Sequence, residues 1–278
     1  MSVLDDIKDE VTDLDTLHMI ATSFTDTAAM RIRGIREAFE TNQEFYVELS
    51  HVYHLVKLVA IKRGLIPDKP PEAKTLLVAF TANQHFYGNI HRRIMDAIVK
   101  EQARTSADLM VVGTSGSEFL TVSGRREGFK LYHFEKDNPS KEEVTNFLNT
   151  LTDYTSIQVY YPHFMSLMRQ DVGMIDITQV LEMENQVTKE AETYILFEPE
   201  VDKILGFFEK QIRGVLFTRV VLESDLSRTA ARMVSMNEAS ERALEMMKEK
   251  HSEYLKVMRS FINRQLLDTF SGMSLWQE

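Results

Sequence analysis

The chain has 278 residues, 44% of them hydrophobic and 27% charged, a composition that fits one large globular domain or two small ones. A formal net charge of -10 speaks against broad phosphate-backbone binding, so no nucleic-acid partner is expected. No cysteine is present, which excludes a disulfide framework and a thiolate site; no apolar run approaches ~18 residues and the opening stretch is acidic, so neither direct membrane insertion nor a secretory leader is expected.

Only 11 glycines and 6 prolines are present, and all the prolines lie between Pro67 and Pro199. Both ends therefore lack the residue that most strongly breaks helices, and long helices are predicted there. From Leu4, spacings of three and four select Leu4, Ile7, Val11, Leu14, His18, Ala21, Thr25, Ala28, Ile32, Ile35, Phe39, Asn42, Tyr46, Leu49, Tyr53 and Val56. Thirteen of these sixteen are apolar or aromatic, the narrow stripe of a coiled-coil seam.

The middle of the chain alternates strand and helix patterns. Residues 75–81 (TLLVAFT), 107–113 (ADLMVVG), 129–134, 157–161 and 174–178 read as strands. A helix is predicted over 89–104, and Ser140 with Glu143 forms the S-x-x-E capping box of another. This predicts a mainly parallel, layered sheet. After Pro199 the three-and-four spacing returns at Met233, Met236, Ser240, Ala243, Met247, Lys250, Tyr254, Val257 and Phe261. Ala230, Ala231, Ala239 and Ala243 would let a second helix approach closely, and Gly272 stands where this helix could end. The seam is assigned to Met233, Met236, Ala239 and Ala243. The fold class is α/β with long helices: an antiparallel coiled-coil hairpin of the terminal helices plus an inserted Rossmann-like α/β domain. The expected divisions are 1–66, an N-terminal coiled-coil helix; 72–192, an α/β domain; and 195–278, a C-terminal coiled-coil helix.

Catalytic chemistry is not found. Gly113-Thr114-Ser115-Gly116 follows a strand but has neither a G-K-[ST] ending nor G-x-G-x-x-G spacing, and reads as a strand-ending turn. Ser115 and Ser117 lack the G-x-S-x-G setting of a nucleophile elbow. His85 and His91, with no Asp or Glu at a ligand spacing, read as solvated or capping histidines, and His51 with His54 reads as a helix surface, since no H-E-x-x-H pattern is present. Asp5-Asp6 and Glu142-Glu143 read as solvated faces, and Arg125-Arg126 is too short a basic patch for nucleic acid. No catalytic residue, cofactor or metal is expected. The residues alone suit a mechanical or scaffolding protein.

The last third carries a resemblance. Glu198-Pro199, then ESDLSRTAARMVSMNEASERA over 223–243, then Ser271-Gly272, resemble the gamma subunit of F-type ATP synthases. That family has E-P, a stretch with A-A-R-M-x-A-M, and a closing S-G. Ser227, Ala230, Ala231, Arg232, Met233, Met236, Ala239 and Ala243 fall in register with it. Weaker similarity covers Ala28-Ala29 with Arg31 and Arg33, and TANQHFYGNI at 81–90. Departures mark a divergent, F-type-like branch. The family's basic K-A-M-K-M-V is here TSFTDT at 22–27, and its G-L-C-G turn is His85-Phe86-Tyr87-Gly88. Within 258–266 only Ile262 and Leu266 are kept, with Asn263 and Gln265 at the family's Thr and Glu.

The resemblance implies a non-catalytic rotor of a membrane-associated complex. The helical hairpin would stand in a hexamer of alpha and beta subunits, with the α/β domain as its foot toward an epsilon-like subunit and a membrane c-ring. It places Arg259, Asn263, Arg264 and Gln265 against the catalytic ring, and Ile195, Phe197 and Glu198 at the ring-side foot. It also implies a peripheral position on the cytoplasmic side of a membrane. A coiled-coil scaffold or adaptor with a small α/β domain, and an α/β enzyme with dimerising helices, are the alternatives.

Overall fold

The computed structural model describes residues 3–62, 74–84, 87–124, 127–179 and 201–274. Helix α1 (Val3–Lys62) opens the chain. The middle contributes β1 (Thr75–Phe80), α2 (Ile90–Thr105), β2 (Asp108–Val112), α3 (Thr114–Val122), β3 (Lys130–Tyr132), α4 (Lys141–Asn149), β4 (Ser156–Phe164) and β5 (Gln170–Asp176). Helix α5 (Val201–Ser274) follows, and at 74 residues it is several times the length of a usual globular helix, ~11 residues. Two compact units share the long helices: residues 1–30 with 232–278, and residues 31–231.

In the first unit α1 and α5 run antiparallel. Lys250 Nζ is 2.7 Å from Glu10 Oε2, while Ser240 Oγ meets His18 Nδ1 at 2.8 Å and Thr22 Oγ1 at 3.2 Å. In the second unit the same sense is kept, with Arg31 on Asp225, Asn42 donating to the Val215 carbonyl and Tyr53 donating to Glu209. All sixteen positions selected on α1 by the three-and-four spacing are buried or half-buried, which fixes the register of that helix.

The second unit contains the sheet, in the order β3-β2-β1-β4-β5. β1 to β4 are mutually parallel, and β5 pairs antiparallel to β4. The apolar runs of β1 and β2 exist because both sheet faces are covered. Leu77, Ala79, Leu109 and Val111 pack under Ile94, Met95 and Ile98 of α2 and Leu120 of α3. Leu76, Val78, Phe80 and Val112 face Phe147 of α4 and Phe217, Val220 and Val221 of α5. The capping box opens α4 as the sequence predicts, with Ser140 Oγ accepting from Glu143 N and Glu143 Oε2 from Ser140 N. Glu143 is thus a cap, and those N–H bonds hold its carboxyl below the usual range.

Three expectations are corrected. Gly113 to Gly116 is the opening of α3, with Gly113 at its N-cap (φ 94°). The residues TSGSEFLTV are weak helix formers, so this helix depends on tertiary contact. A Cβ on Gly116 would lie 2.6 Å from Val111 Cγ1 and 2.9 Å from Thr81 Oγ1, so only glycine lets α3 sit this close to the sheet. Second, α5 continues past Gly272 to Ser274. Third, Phe261, although on the seam spacing, is 55% exposed.

Glycine substitutions separate these environments. Gly116→Ala should lower the melting temperature, since overpacking costs ~1–3 kcal/mol. Gly34→Ala, at an exposed site inside α1 with nothing within 4 Å of the added Cβ, should raise it, with a gain in stability of up to ~1 kcal/mol. Urea unfolding of the two variants should show shifts of opposite sign.

Candidate functional site

On the first unit, where α1 and α5 pair, Ala21, Ala28 and Ala243 are buried, while Met233, Met236 and Ala239 are half-buried. Large apolar side chains also lie outside this pairing. Leu17, Met19, Ile20, Phe24 and Met30 of α1 are 47% to 70% exposed. Every residue from 259 to 270 of α5 is exposed, which includes Arg259, Asn263, Arg264 and Gln265. Phe261, Ile262, Leu266 and Phe270 stand among them. A helix end that combines large apolar side chains with arginines has the chemistry of a surface that meets protein.

On the second unit, the N-terminus of α3 was the sequence's best phosphate-loop candidate. Its amides are already engaged. Thr114 N donates to Asn83 Oδ1 (3.1 Å), Ser115 N to the Ala82 carbonyl (3.0 Å) and Gly116 N to Thr81 Oγ1 (3.1 Å). The donors that would cradle an anion hold the strand end instead.

Where α5 crosses the carboxyl ends of the parallel strands, its residues 223–229 are all buried although six of the seven are polar: Glu223, Ser224, Asp225, Ser227, Arg228 and Thr229. Glu223 accepts from Tyr161 Oη at 2.9 Å and touches His163 Nδ1, both at the end of β4. Burial, then Glu223, push the Tyr161 phenol far above its ordinary range. Asp225 takes Arg31 Nη2 at 3.0 Å on both carboxylate oxygens. Arg228, 1% exposed, donates from Nη2 to the Asp137 carbonyl at 2.8 Å and lies over the Phe80 ring at 5.7 Å. The Asp137 carboxylate is held by Asn83 N (2.5 Å) and Tyr87 Oη (3.1 Å).

His91 lies beside this cluster. Neither the solvated nor the capping reading holds, because both ring nitrogens are sealed from solvent without a hydrogen bond and the ring stands edge-on to Tyr87. Burial, then the Arg228 charge, hold the imidazole down at about 3, with Asp137 opposing. The unfolded chain takes up this proton near the ordinary histidine value of ~6.5. The folded protein resists it, so stability falls as pH drops from about 6.5 toward about 3. This single group should remove roughly 1–3 kcal/mol by about pH 4.5. His91→Phe should flatten that part of the acid profile in melts compared at the two pH values.

His51 is exposed and His54 half-buried, and no group of His, Asp and Glu able to hold a metal occurs among the described residues. Ile195, Phe197 and Glu198 lie outside the described residues. Sequence reasoning missed the buried crossing. Its available signal was a helical stretch, ESDLSRT, in which polar residues occupy every face between two apolar segments.

Comparison with known proteins agrees with this architecture. A family model described as ATP synthase matches residues 3–274. The ATP synthase gamma chain of Geotalea daltonii is 25% identical over 98% of both chains. That of Flavobacterium johnsoniae is 22% identical, also over 98% of both. Among solved structures, the central stalk and c-ring of the Tetrahymena thermophila mitochondrial ATP synthase contains a chain with the same fold. It superposes at a TM-score of 0.59 with 20% identity, covering 80% of this chain and 99% of that one. A chain of the Euglena gracilis mitochondrial ATP synthase gives 0.53 with 13% identity, covering 88% and 94%. With the family match running through both long helices and the sheet between them, this chain belongs to the ATP synthase gamma family.

Proposed function

We propose that this chain is the central-stalk rotor subunit of an F-type-like rotary ATPase, coupling ATP turnover in an alpha/beta hexamer to rotation and ion translocation. The observation that carries the reading is the exposed, mixed apolar and cationic end of α5, residues 259–270, on a chain matched by its family over residues 3–274. In a hexamer's central cavity that surface gains the cover it lacks here. An asymmetric shaft then biases each catalytic subunit between conformations, so shaft angle and nucleotide state are linked.

In this reading Arg259, Asn263, Arg264 and Gln265 meet the catalytic ring, and Met233, Met236, Ala239 and Ala243 serve the pairing of the shaft helices. The α/β region within 72–192 forms the foot between the coiled-coil segments 1–66 and 195–278. Ile195, Phe197 and Glu198 belong to its ring-side contacts, with a c-ring and an epsilon-like subunit as partners. The subunit is peripheral, on the cytoplasmic side of the membrane, and not itself catalytic. No described helix is long and apolar enough to cross a membrane.

Co-purification tests the assignment. The chain should come down with three copies each of two larger ATPase subunits, and recovery in a complex without them would overturn the rotor reading. Alone, it should neither bind nor hydrolyse ATP, since the α3 amides are spent on Thr81, Ala82 and Asn83. Stoichiometric nucleotide binding in calorimetry would contradict this.

A further inference from the structure

Doubly wound sheets bind ligands in the crevice outside the carboxyl ends of their parallel strands, where the strand order reverses. In the order β3-β2-β1-β4-β5 that point lies between β1 and β4. α5 crosses it, with Glu223 on Tyr161 and His163 at the end of β4, and Arg228 on Phe80 at the end of β1. Arg228 also reaches the Asp137 carbonyl beyond β3. We propose that the Arg228 guanidinium is the built-in occupant of this crevice and that, by filling it, it fixes α5 to the α/β fold so that rotation of the helix is passed to the sheet.

The surroundings are those of a ligand more than of an ordinary core residue. Arg228 is the largest of the fully buried side chains. Its Nε and Nη1 are buried without a hydrogen-bond partner, so it is not held by a complete network of donors and acceptors. What does hold it is one carbonyl, one aromatic face, and the charges of Asp137 and Asp225. A carbonyl, a ring and a carboxylate around a planar cation are the elements by which a site recognises a guanidinium. The receiving loop has supports other than the arginine, because Asn83 N and Tyr87 Oη hold the Asp137 carboxylate. Arg228 is therefore a positioning residue. A simpler core would have used an apolar side chain at this position, without the burden of burying a charge.

The inference rests on the rotor reading, and the test keeps the two apart. Arg228→Ala empties the crevice, and Arg228→Met fills its volume without the charge. Each full-length chain is assembled with its complex in membrane vesicles, where ATP hydrolysis and ion uptake are measured together. Both variants should keep ATP hydrolysis while ion uptake per ATP falls several-fold. Millimolar methylguanidinium should restore most of that ratio, and the melting temperature of the free chain, for Arg228→Ala only. Arg228→Met has no room for the added cation and should not respond. A lower melting temperature with an unchanged uptake ratio would reduce Arg228 to a structural residue and overturn the proposal. Loss of the ratio without rescue by methylguanidinium in the alanine variant would overturn its role as crevice occupant. Failure of the wild-type chain to support any ATP-driven uptake would instead count against the rotor reading.

Discussion

Ala243→Asp should abolish cooperative melting of the unit formed by residues 1–30 and 232–278. Ala243 is 2% exposed and lies one turn from Ser240, whose hydroxyl meets His18 and Thr22 of α1. The small side chain is what allows the helices to approach there. A carboxylate at this position must lose its hydration or force the helices apart, and either costs about 3 kcal/mol or more. Helix pairs of this kind draw most of their stability from the packed face, so the loss should spread along the unit. The same change at half-buried Met233 or Met236 should cost less, because a carboxylate on a partly exposed position can still reach water. Circular dichroism melts with limited proteolysis would distinguish these outcomes. Wild-type melting of Ala243→Asp would mean that the pairing register is wrong.

What the sequence made legible was governed by short-range rules. The seam of α1 is a repeat of three and four, and every residue it selects is buried or half-buried. Thr75–Phe80 and Asp108–Val112 are read from apolar runs that only strands buried on both faces tolerate. Ser140 and Glu143 sit three apart and form their box locally. The features that escaped depend on distant partners. α3 forms from poor helix formers because Gly116 can reach Thr81 and Val111. Arg228 becomes buried through a carbonyl 91 residues away, and nothing within ESDLSRT marks it apart from the solvated arginines of the same helix. The exposure of Phe261 is equally non-local, since a stripe that continues in sequence need not have a covering helix beside it.

Replacing Arg264 and Gln265 by alanine should leave the melting of the free chain unchanged while lowering the ATPase rate of the assembled complex. Both side chains are exposed, as are Arg259 and Asn263. Exposed positions away from caps and ion pairs usually change stability by less than ~0.5 kcal/mol. Buried against catalytic subunits, each polar contact would be worth ~0.5–3 kcal/mol depending on charge and burial. Phe261 and Leu266, 55% and 51% exposed, supply the contrast. An apolar side chain that becomes fully covered contributes ~1.5–3 kcal/mol, so Phe261→Ser with Leu266→Ser should reduce the rate at least as far. A lower rate only in the serine pair would make the contact apolar and leave Arg264 and Gln265 facing solvent within the complex. If both pairs retain the wild-type rate, this end of α5 does not drive the catalytic subunits, and the exposed strip of Leu17, Ile20 and Phe24 on α1 becomes the surface to change next.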